Sequence, residues 1–472
     1  MKKSISLLLV TCLLLTLCAC GTGGAGETTE ATLQGLHVGY ARESIMPDGG
    51  VNMSGSGNQA HRISDGFYDM LYATCLAMSE GGNTVLLYST DTLASRWGWT
   101  KEARKLISEA TGVPQEQIQI GGTHTHAGPA VGGAEPLVLQ WKPIYMNALV
   151  AAGQKALADL APTTMYGKKV VTENLTFVRH YVMKDGSYAG SNFGDSSKGF
   201  ESHAAEADPE MVLVKMDREG DKKDILLMNF QAHPCFTTSA DYTTLSADYI
   251  GATRTILEKE TGMNFIYFLG AAGNLTTGSS ITTEKQYKNK KAYSEALAQY
   301  ALDVIDQINT PIDGTGVKSA QKTIEYKCND YGQDRLEDAR LVTEKFQQTG
   351  DASACTAYAR TLGFHSVYEC NGIVNCSKYP PTDEMTFNVA RIGGLGFVAA
   401  DYEMFAENGV YIKENSPFEF TIVSTCTNGY NNYFPTEKAF SYGCYESFTA
   451  RFASGVAEMA QDEFVNMLKG IQ

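Results

Sequence analysis

Two histidines separated by one residue, His124 and His126, stand in a polar run that follows the short segment Ile118–Ile120. Residues two apart point to the same side of an extended chain. Both imidazoles could therefore bind one metal ion, or one could bind it while the other contacts a substrate. A third histidine, His233, precedes a proline at the end of another apolar run. Polar loop histidines with no ligand give the same patterns, so these residues need support from the rest of the chain.

The candidate oxygen ligands are equally ambiguous when taken one at a time. Glu403 stands among apolar residues and could be a carboxylate at the start of a helix. Tyr433 and Tyr445 are two of 25 tyrosines. The chain has no HExxH, GxSxG or GK[ST] motif, so it lacks the signatures of common zinc proteases, serine hydrolases and P-loop proteins.

Five apolar segments lead directly into polar clusters that contain these residues. In open α/β sheets, ligands bind beyond the carboxyl ends of the strands. We therefore expect the five strand ends to bring histidine, glutamate and tyrosine side chains together. The segments are Ile118–Ile120, Ile225–Phe230, Phe265–Leu269, Leu395–Ala399 and Phe420–Val423.

Strand patterns alternate with helix patterns from about residue 35 onward, and hairpins interrupt the alternation. This arrangement predicts an α/β fold with a mixed rather than a purely parallel sheet. We predict a single domain over residues 35–472. A smaller lobe around residues 310–385 is an alternative that the sequence leaves undecided. The longest predicted helices are Thr100–Thr111, Pro143–Leu160, Tyr249–Thr261, Lys290–Ile308, Arg335–Gln348 and Glu446–Leu468. The later predicted strands include Phe387–Ala399.

The composition is that of an ordinary globular protein. The 472 residues carry a formal net charge of −15, with 43% hydrophobic and 19% charged residues. An acidic chain of this kind argues against a nucleic-acid partner, which a basic face would indicate. Only one long apolar run occurs, so a protein with many membrane spans is also excluded.

That run lies at the N-terminus, where Lys2 and Lys3 precede an uncharged stretch from Ser4 to Cys20. It resembles a bacterial lipoprotein signal. Residues 1–19 would be the signal peptide, Cys20 the lipidated residue, and residues 20–34 a flexible tether. The protein would then be exported and held by lipid on the outer face of a bacterial cell membrane. An ordinary cleaved signal and an uncleaved anchor remain as alternatives.

Eight cysteines follow the signal, and export would permit disulfides between them. Cys370 and Cys376 flank a plausible Asn-Gly turn, which makes them the best candidates for a local bridge. Free buried thiols are an equally good interpretation of most of the others.

Several motifs together resemble the neutral ceramidase family. The resemblance runs in order from about residue 35 to residue 450, nearly the whole mature chain. The matching motifs are the opening segment Gly39–Pro47, THTHAGP at Thr123–Pro129, the His233-Pro234 pair, SAD at Ser246–Asp248, GAAGN at Gly270–Asn274, NGYxxYxPT from Asn428, and GCYE from Gly443.

The resemblance implies stacked β-sheets between helices and one Zn²⁺ ion that serves hydrolysis of the amide of N-acyl sphingosine. Carried over residue by residue, it implies two sets of site residues. The implied zinc ligands are His124, His233, Glu403 and Tyr433. The implied contacts to the scissile amide are His126, Arg179 and Tyr445. Two imidazoles, a carboxylate and a phenol suit Zn²⁺, which activates water for attack on a carbonyl.

Two departures from the family concern the substrate. Ceramidases usually have Gly-Asp-x-Ser-Pro where this chain has Gly273–Thr277. Thr276 keeps a hydroxyl and is a further candidate catalytic residue, but the acid and the proline are gone. Characterised ceramidases also carry an immunoglobulin-like domain after the catalytic region. Both differences weaken ceramide as the substrate more than they weaken zinc amidohydrolysis. We therefore expect ceramide to be a poorer substrate than a smaller or more polar N-acyl compound.

The function predicted first is that of a surface-tethered zinc amidohydrolase whose zinc-bound water cleaves the linear amide of an N-acyl lipid or related conjugate. Two alternatives stay open. One is a metal-dependent hydrolase of another amide or ester, such as a cell-wall or glycan amide. The other is a surface lipoprotein that keeps the fold without catalysis.

Overall fold

The computed structural model describes residues 35–56, 59–94 and 96–472. The described residues group into one compact unit. The signal peptide at 1–19, Cys20 and the tether at 20–34 lie outside the described residues, so their assignments stay predictions. Among the helices of the described part, none is long and apolar enough to cross a membrane.

The strands in the described residues range from two to eleven residues in length. In chain order they are β1 (His37–Ser44), β2 (Gly66–Phe67), β3 (Tyr72–Glu80), β4 (Asn83–Thr90), β5 (Ile118–Gly122), β6 (Ala161–Val171), β7 (Phe177–Val178), β8 (His180–Met183), β9 (Tyr188–Gly190), β10 (Phe200–His203), β11 (Glu210–Arg218), β12 (Ile225–Phe230), β13 (Thr244–Leu245), β14 (Asn264–Leu269), β15 (Leu275–Thr276), β16 (Thr310–Ile312), β17 (Val317–Lys327), β18 (Thr382–Ile392), β19 (Leu395–Ala399), β20 (Glu403–Met404), β21 (Phe420–Ser424) and β22 (Tyr433–Phe434).

The α-helices of the same part of the chain are α1 (Trp97–Thr111), α2 (Pro136–Ala158), α3 (Phe236–Ala240), α4 (Asp248–Thr261), α5 (Lys290–Leu302), α6 (Leu336–Thr349), α7 (Ala352–Thr361), α8 (Val367–Cys376), α9 (Ala406–Asn415), α10 (Glu437–Tyr442), α11 (Tyr445–Thr449) and α12 (Val456–Gly470).

Two mixed sheets form the centre of the molecule, which confirms the predicted fold class. The larger has the order β14-β12-β11-β6-β1-β3-β4-β5, with β16 paired to β6. The smaller has the order β17-β18-β19-β21. Most neighbours are antiparallel, but β12–β14, β4–β5 and β19–β21 are parallel pairs.

The two sheets pack face to face over a shared apolar core. Leu87 and Val214 of the larger sheet belong to the same buried cluster as Phe397 and Ile422 of the smaller one. Helices cover the outer faces, with α1 and α2 on one half of the larger sheet and α4 and α5 on the other. Helices α9 and α12 cover the smaller sheet. Strands covered on both faces are apolar at nearly every position, as in β12 and β14.

The possible smaller lobe proves to be three helices rather than the whole of residues 310–385. Helices α6, α7 and α8 pack around an apolar cluster of their own that includes Val342, Cys355 and Ile373. The flanking strands β17 and β18 belong to the smaller sheet instead.

Three predicted elements have different boundaries, each for a local reason. Helix α2 begins at Pro136 and has Pro143 inside it, because Val138 and Trp141 ahead of that proline are buried in the core. The predicted strand Phe387–Ala399 is a hairpin that turns at Gly393-Gly394. The predicted closing helix is interrupted between α11 and α12 by a segment that ends at Gly455, whose φ is 85°.

Two smaller predictions also change. Residues 303–308 leave the helical pattern after α5, apart from one short 3₁₀ turn at Ile305–Gln307. Cys370 and Cys376 are not bridged, because the sequence between them is part of α8 and no turn brings the two thiols together. All eight cysteines of the described part are free, and seven are buried.

Candidate metal centre

The carboxyl ends of the three parallel strand pairs meet at one end of the sandwich. Backbone hydrogen bonds join the loops that follow them: Gly122 donates to the carbonyl of Cys426 at 3.2 Å, and Gly273 donates to that of Met404 at 2.8 Å. His126 donates to the carbonyl of Pro234 at 3.2 Å. The strand ends therefore converge as the order of apolar segments and polar clusters predicts.

His124 lies just beyond β5 in a left-handed backbone conformation, with φ of 65°. The segment is thus not extended at this point, although the rings of His124 and His126 still lie 5.1 Å apart. Gly122 makes this path possible, since a Cβ there would lie 2.8 Å from the carbonyl oxygen of Leu93. Nδ1 of His124 lies 2.9 Å from the same oxygen, so Nδ1–H donates and Nε2 presents a lone pair.

His233 and Glu403 approach the same point from β12 and β19. Nδ1 of His233 lies 3.0 Å from the carbonyl oxygen of Ala272, which again leaves Nε2 as a lone pair. The two Nε2 atoms are 3.2 Å apart. Oε2 of Glu403 is 3.3 Å from Nε2 of His124 and 3.5 Å from that of His233. Two lone pairs and a carboxylate oxygen therefore face one another.

These three atoms fit a bound metal ion. Oε2 of Glu403 is buried and accepts no hydrogen bond among the described residues. Ligands bound to Zn²⁺ at about 2.0–2.1 Å in a tetrahedron lie about 3.3 Å from one another, close to the observed separations. Without a cation or a shared proton, three electron-rich atoms at this distance would repel one another in a buried site. The donor set of nitrogen and oxygen suits zinc.

The electrostatics of the histidines agree with ligand roles. Burial, reinforced by Arg179, lowers the pKa of His233 well below its ordinary value, which keeps the ring neutral. Burial also opposes protonation of His124, but Cys426 and Glu403 outweigh it and raise the pKa of that ring. A cation bound at Nε2 would replace the proton that these neighbours favour.

Two tyrosines lie beside Glu403, and sequence reasoning selected only one of them. Tyr433 on β22 pairs with Glu403 on β20, and its ring lies 5.5 Å from the guanidinium carbon of Arg179. Tyr430 donates a hydrogen bond to Oε1 of Glu403 at 2.5 Å. Tyr430 thus orients the carboxylate, while the role of Tyr433 as fourth ligand stays a prediction.

His126 lies next to the candidate ligands with a free ring nitrogen. Its Nε2 is buried and has no hydrogen-bond partner among the described residues. The ligand atoms of His124, His126 and His233 all lie within 4.8 Å of one another. Burial lowers the pKa of His126 well below its ordinary value, and His124 and Arg179 add to the effect. A neutral imidazole in this position can accept or donate a proton near a bound substrate.

Arg179 faces Tyr433 from the opposite wall and is held by Glu446. Its Nη2 lies 2.6 Å from Oε1 of Glu446, and the other carboxylate oxygen lies 2.7 Å from Nε2 of His180. Burial alone would lower the pKa of Arg179, but Glu446 raises it, so the guanidinium stays charged. Tyr445, adjacent in sequence to Glu446, has its ring 5.8 Å from that of Tyr433.

Thr276 is placed near the site, but its hydroxyl is used elsewhere. It donates to the carbonyl of Gly278 at 3.0 Å and thereby closes its own turn. The neighbouring Asn274 is buried and joins two elements. Its Nδ2 donates to Glu407 at 2.8 Å, and its Oδ1 accepts from the backbone N–H of Ala406 at 2.9 Å. The asparagine that departs from the ceramidase loop therefore holds the start of α9.

Three residues of the site were not found from the sequence. Cys426 lies 3.3 Å from Nδ1 of His124, Tyr430 binds Glu403, and Glu446 binds Arg179. Tyr430 and Glu446 stand inside the motifs NGYxxY and GCYE, so the motifs did contain the signal. Cys426 had no signal, because a cysteine outside any recognised motif is usually a buried core residue.

Comparisons with known proteins support the fold. No protein-family model matches the chain, and no curated protein matches its sequence. A crystal structure of neutral ceramidase from Pseudomonas aeruginosa is similar with a TM-score of 0.68 and 15% identity, over 92% of this chain and 74% of that one. A structure described as ceramidase complexed with C2 is similar with a TM-score of 0.67 and 16% identity, over 92% and 75%.

At this level of identity, the likeness concerns the arrangement of the elements. It extends over both sheets and the helices that cover them, since it spans 92% of the chain. The fold of this chain is therefore that of the neutral ceramidases, as its motifs predicted.

Proposed function

We propose that this protein is a zinc-dependent amidohydrolase that cleaves the linear amide of an N-acyl lipid or a related conjugate. The observation that carries the proposal is the convergence of two imidazole Nε2 atoms and one carboxylate oxygen within 3.5 Å in a buried site. Similarity in fold to neutral ceramidases supports the reaction class.

His124, His233 and Glu403 would hold the zinc ion, with Tyr433 as the predicted fourth ligand. A zinc ion held there supplies a Lewis acid and lowers the pKa of a water molecule. The backbone carbonyls of Leu93 and Ala272 fix the two imidazole rings through Nδ1. The ligands are thus set before substrate binds, which lowers the cost of reaching the transition state.

The surrounding side chains would act on the amide. His126 has its unpartnered Nε2 beside the ligands and can pass a proton to the departing amine. Tyr445 can donate to the carbonyl oxygen as negative charge develops on it. Arg179, fixed by Glu446, can orient a polar part of the substrate. Thr276 contributes through the shape of its loop, since its hydroxyl bonds to Gly278.

The test combines metal content with hydrolysis. Purified protein should contain one zinc per chain by elemental analysis and should release amine from short-chain N-acyl amides. His124→Ala and His233→Ala should lose both properties, whereas His365→Ala, at an exposed histidine, should keep both. Full zinc occupancy in the variant that lacks both His124 and His233 would contradict the assignment of the site.

We also propose that the protein is lipid-anchored at Cys20 on the outer face of a bacterial membrane. The support is the sequence alone, in which a short apolar run with two preceding lysines ends at that cysteine. Mass spectrometry of the mature protein should show a lipid-modified N-terminal cysteine, and Cys20→Ser should abolish the modification. An unmodified mature N-terminus beyond residue 20 would exclude the anchor.

A further inference from the structure

A cavity of about 220 Å³ lies directly beside the candidate metal centre. Helix α8 of the three-helix lobe forms one wall, and residues 430–449 form the other. Pockets that hold drug-sized ligands have volumes of about 300–1,000 Å³. This cavity is therefore sized for one compact group of a substrate rather than for a whole lipid.

The cavity adjoins the candidate metal centre, because three of its lining residues also belong to that site. Tyr430, Tyr433 and Tyr445 line it. The hydroxyl of Tyr430 is 2.5 Å from Oε1 of Glu403. A substrate whose amide lies at the metal centre would thus place one of its two substituents in this cavity.

The lining is polar and aromatic. Five tyrosines, three asparagines and one threonine contribute to it, and Phe448 is the one large, wholly apolar side chain among the described lining residues. A pocket for a long alkyl chain would be lined by aliphatic side chains. Each methylene group gains about 0.8 kcal/mol of binding free energy when it moves from water into an apolar environment. The lining instead offers many hydrogen-bonding groups and flat aromatic faces.

One of these groups has no partner within the protein. The side-chain oxygen of Asn371 is buried and makes no hydrogen bond among the described residues. The next residue, Gly372, packs against the carbonyl oxygen of Phe448 so closely that no Cβ fits between them. Helix α8 is therefore pressed onto the opposite wall, which fixes the position of Asn371. A buried amide oxygen without a partner costs about 1–3 kcal/mol, which a donor on a ligand would recover.

We propose that this cavity binds a compact, hydroxylated amine component of the substrate and that Asn371 determines this specificity. The inference rests on the proposed amidohydrolase function and names its substrate class. In a simple N-acyl amide, the acyl side has no hydroxyl groups, so the hydroxyls that Asn371 and the tyrosines can bind belong to the amine side. The class comprises N-acylated amino sugars and N-acylated short amino alcohols.

The experiment uses four amides that share a hexanoyl group. Their amines are glucosamine, 2-amino-1,3-propanediol, sphingosine and hexylamine. We expect kcat/KM of the zinc-loaded protein to be at least about 10-fold higher for one of the first two than for the hexylamine amide. Preference for glucosamine would identify a sugar, and preference for the diol would identify an amino alcohol. Equal or higher rates with the hexylamine or sphingosine amide would overturn the proposal.

Variants test the role of Asn371. Asn371→Leu should lower the ratio of kcat/KM for the preferred hydroxylated amide to that for the hexylamine amide by about 10-fold or more. Asn466→Leu, on the exposed side of α12, is the matched control and should leave this ratio unchanged. If Asn371→Leu fails to fold, Tyr379→Phe, which removes one hydroxyl from the cavity, should produce a smaller shift in the same direction. Equal losses on all amides would contradict a specificity role.

Binding separates this inference from the proposed function. Calorimetric titration of the zinc-free protein with the glucosamine and diol amides should show binding that Asn371→Leu weakens. Binding without hydrolysis by the zinc-loaded protein would reject the enzyme assignment and keep the specificity of the cavity. Hydrolysis with no preference for hydroxylated amines would keep the enzyme assignment and reject the proposed specificity of the cavity.

Discussion

The carboxylate of Glu446 lies 2.6 Å from the guanidinium of Arg179, and both groups are largely buried, with 1% and 13% of their side chains exposed. The same carboxylate binds His180 through its other oxygen. Since a buried guanidinium needs a fixed counter-charge, Glu446 determines where Arg179 points. Arg179 faces Tyr433 beside the candidate metal ligands, so the pair links α11 to the candidate site.

Replacement of Glu446 should destabilise the protein because Arg179 would be left as an unpaired buried charge. We expect Glu446→Gln to lower the free energy of unfolding by about 3–5 kcal/mol at pH 7. Urea denaturation monitored by circular dichroism gives this value. Glu325→Gln, at an exposed position on β17, is the control and should change stability little. A loss below 1 kcal/mol would show that the pair is dispensable.

The pH dependence of that loss follows from the pKa of Glu446. Burial would raise it, but His180 and Arg179 lower it from 4.5 to about 2. A lowered carboxyl pKa gives stability that is complete above the unfolded-state value and is lost as the pH falls through the folded-state value. The difference between wild type and Glu446→Gln should therefore be constant above pH 5 and shrink between pH 4.5 and pH 2.

Metal removal should lower thermal stability because the ion binds only the folded chain. At a free zinc concentration 1,000 times Kd, binding contributes about 4 kcal/mol. Dipicolinate should thus lower Tm by several degrees, and added zinc should restore it. His233→Ala should not respond to the chelator, while His365→Ala should respond like wild type. An unchanged Tm in every case would argue against a metal ion in this site.

Restoring the ceramidase-like acid at position 274 should be harmful in this chain. Asn274→Asp loses the hydrogen bond to Glu407 and places a second carboxylate 2.8 Å from the first. We expect a loss of about 2–3 kcal/mol in the free energy of unfolding. The penalty should ease as the pH falls, since close like charges favour protonation of one carboxyl.

The same pair offers a direct test of the cause. Asn274→Asp combined with Glu407→Gln restores a donor opposite the new carboxylate, and it should recover most of the lost stability. A double variant as unstable as the sum of the two single variants would show that the effect does not arise from this contact.

Tyr430→Phe should weaken metal binding without abolishing it. The hydroxyl of Tyr430 donates a hydrogen bond to Oε1 of Glu403. Burial, and to a smaller extent the charge of Glu403, raises the pKa of this hydroxyl well above its ordinary value, so it stays protonated. Loss of a contact that orients a ligand costs about 10–100-fold in metal affinity. Competition with a chelator measures the zinc affinity of the variant and of the wild type. Tyr445→Phe should leave zinc affinity unchanged and lower turnover. If Tyr445→Phe instead weakens zinc binding and Tyr430→Phe lowers only turnover, then Tyr445 orients the metal ligand and Tyr430 contacts the amide.

Much of the fold could be predicted because local signals and tertiary structure agree. Strand β5 begins at Ile118, as the apolar segment Ile118–Ile120 predicts, and helices α1 and α4 end before Gly112 and Gly262, both in left-handed conformations. The failures arose where packing decided between local alternatives. Pro136 and Pro143 can each begin a helix, and the burial of Trp141 selects the first. Cys370 and Cys376 flank a turn signal that helix packing overrides.

Some residues of the candidate site could be predicted from the sequence, and others could not. Motif resemblance predicted His124, His233 and Glu403, which the fold brings within 3.5 Å of one another. Neither Tyr430 nor Cys426 could be assigned, because their contacts depend on how the loops after β19 and β21 turn toward β5. The hydrogen bond of the Thr276 hydroxyl within its own turn could not be predicted either, since it depends on the backbone path of three residues.

The convergence of strand ends from both sheets has a consequence for the stage of folding at which the proposed metal ion could bind. His124 and His233 are separated by 109 positions in sequence, and His124 and Cys426 by 302. Contacts between segments so far apart form late in folding, because long loops must close before they contribute stability. A nascent chain or a folding intermediate has no assembled ion-binding pocket. Binding of the proposed zinc ion would therefore require completed docking of the two sheets, and chains arrested before that step would stay without metal.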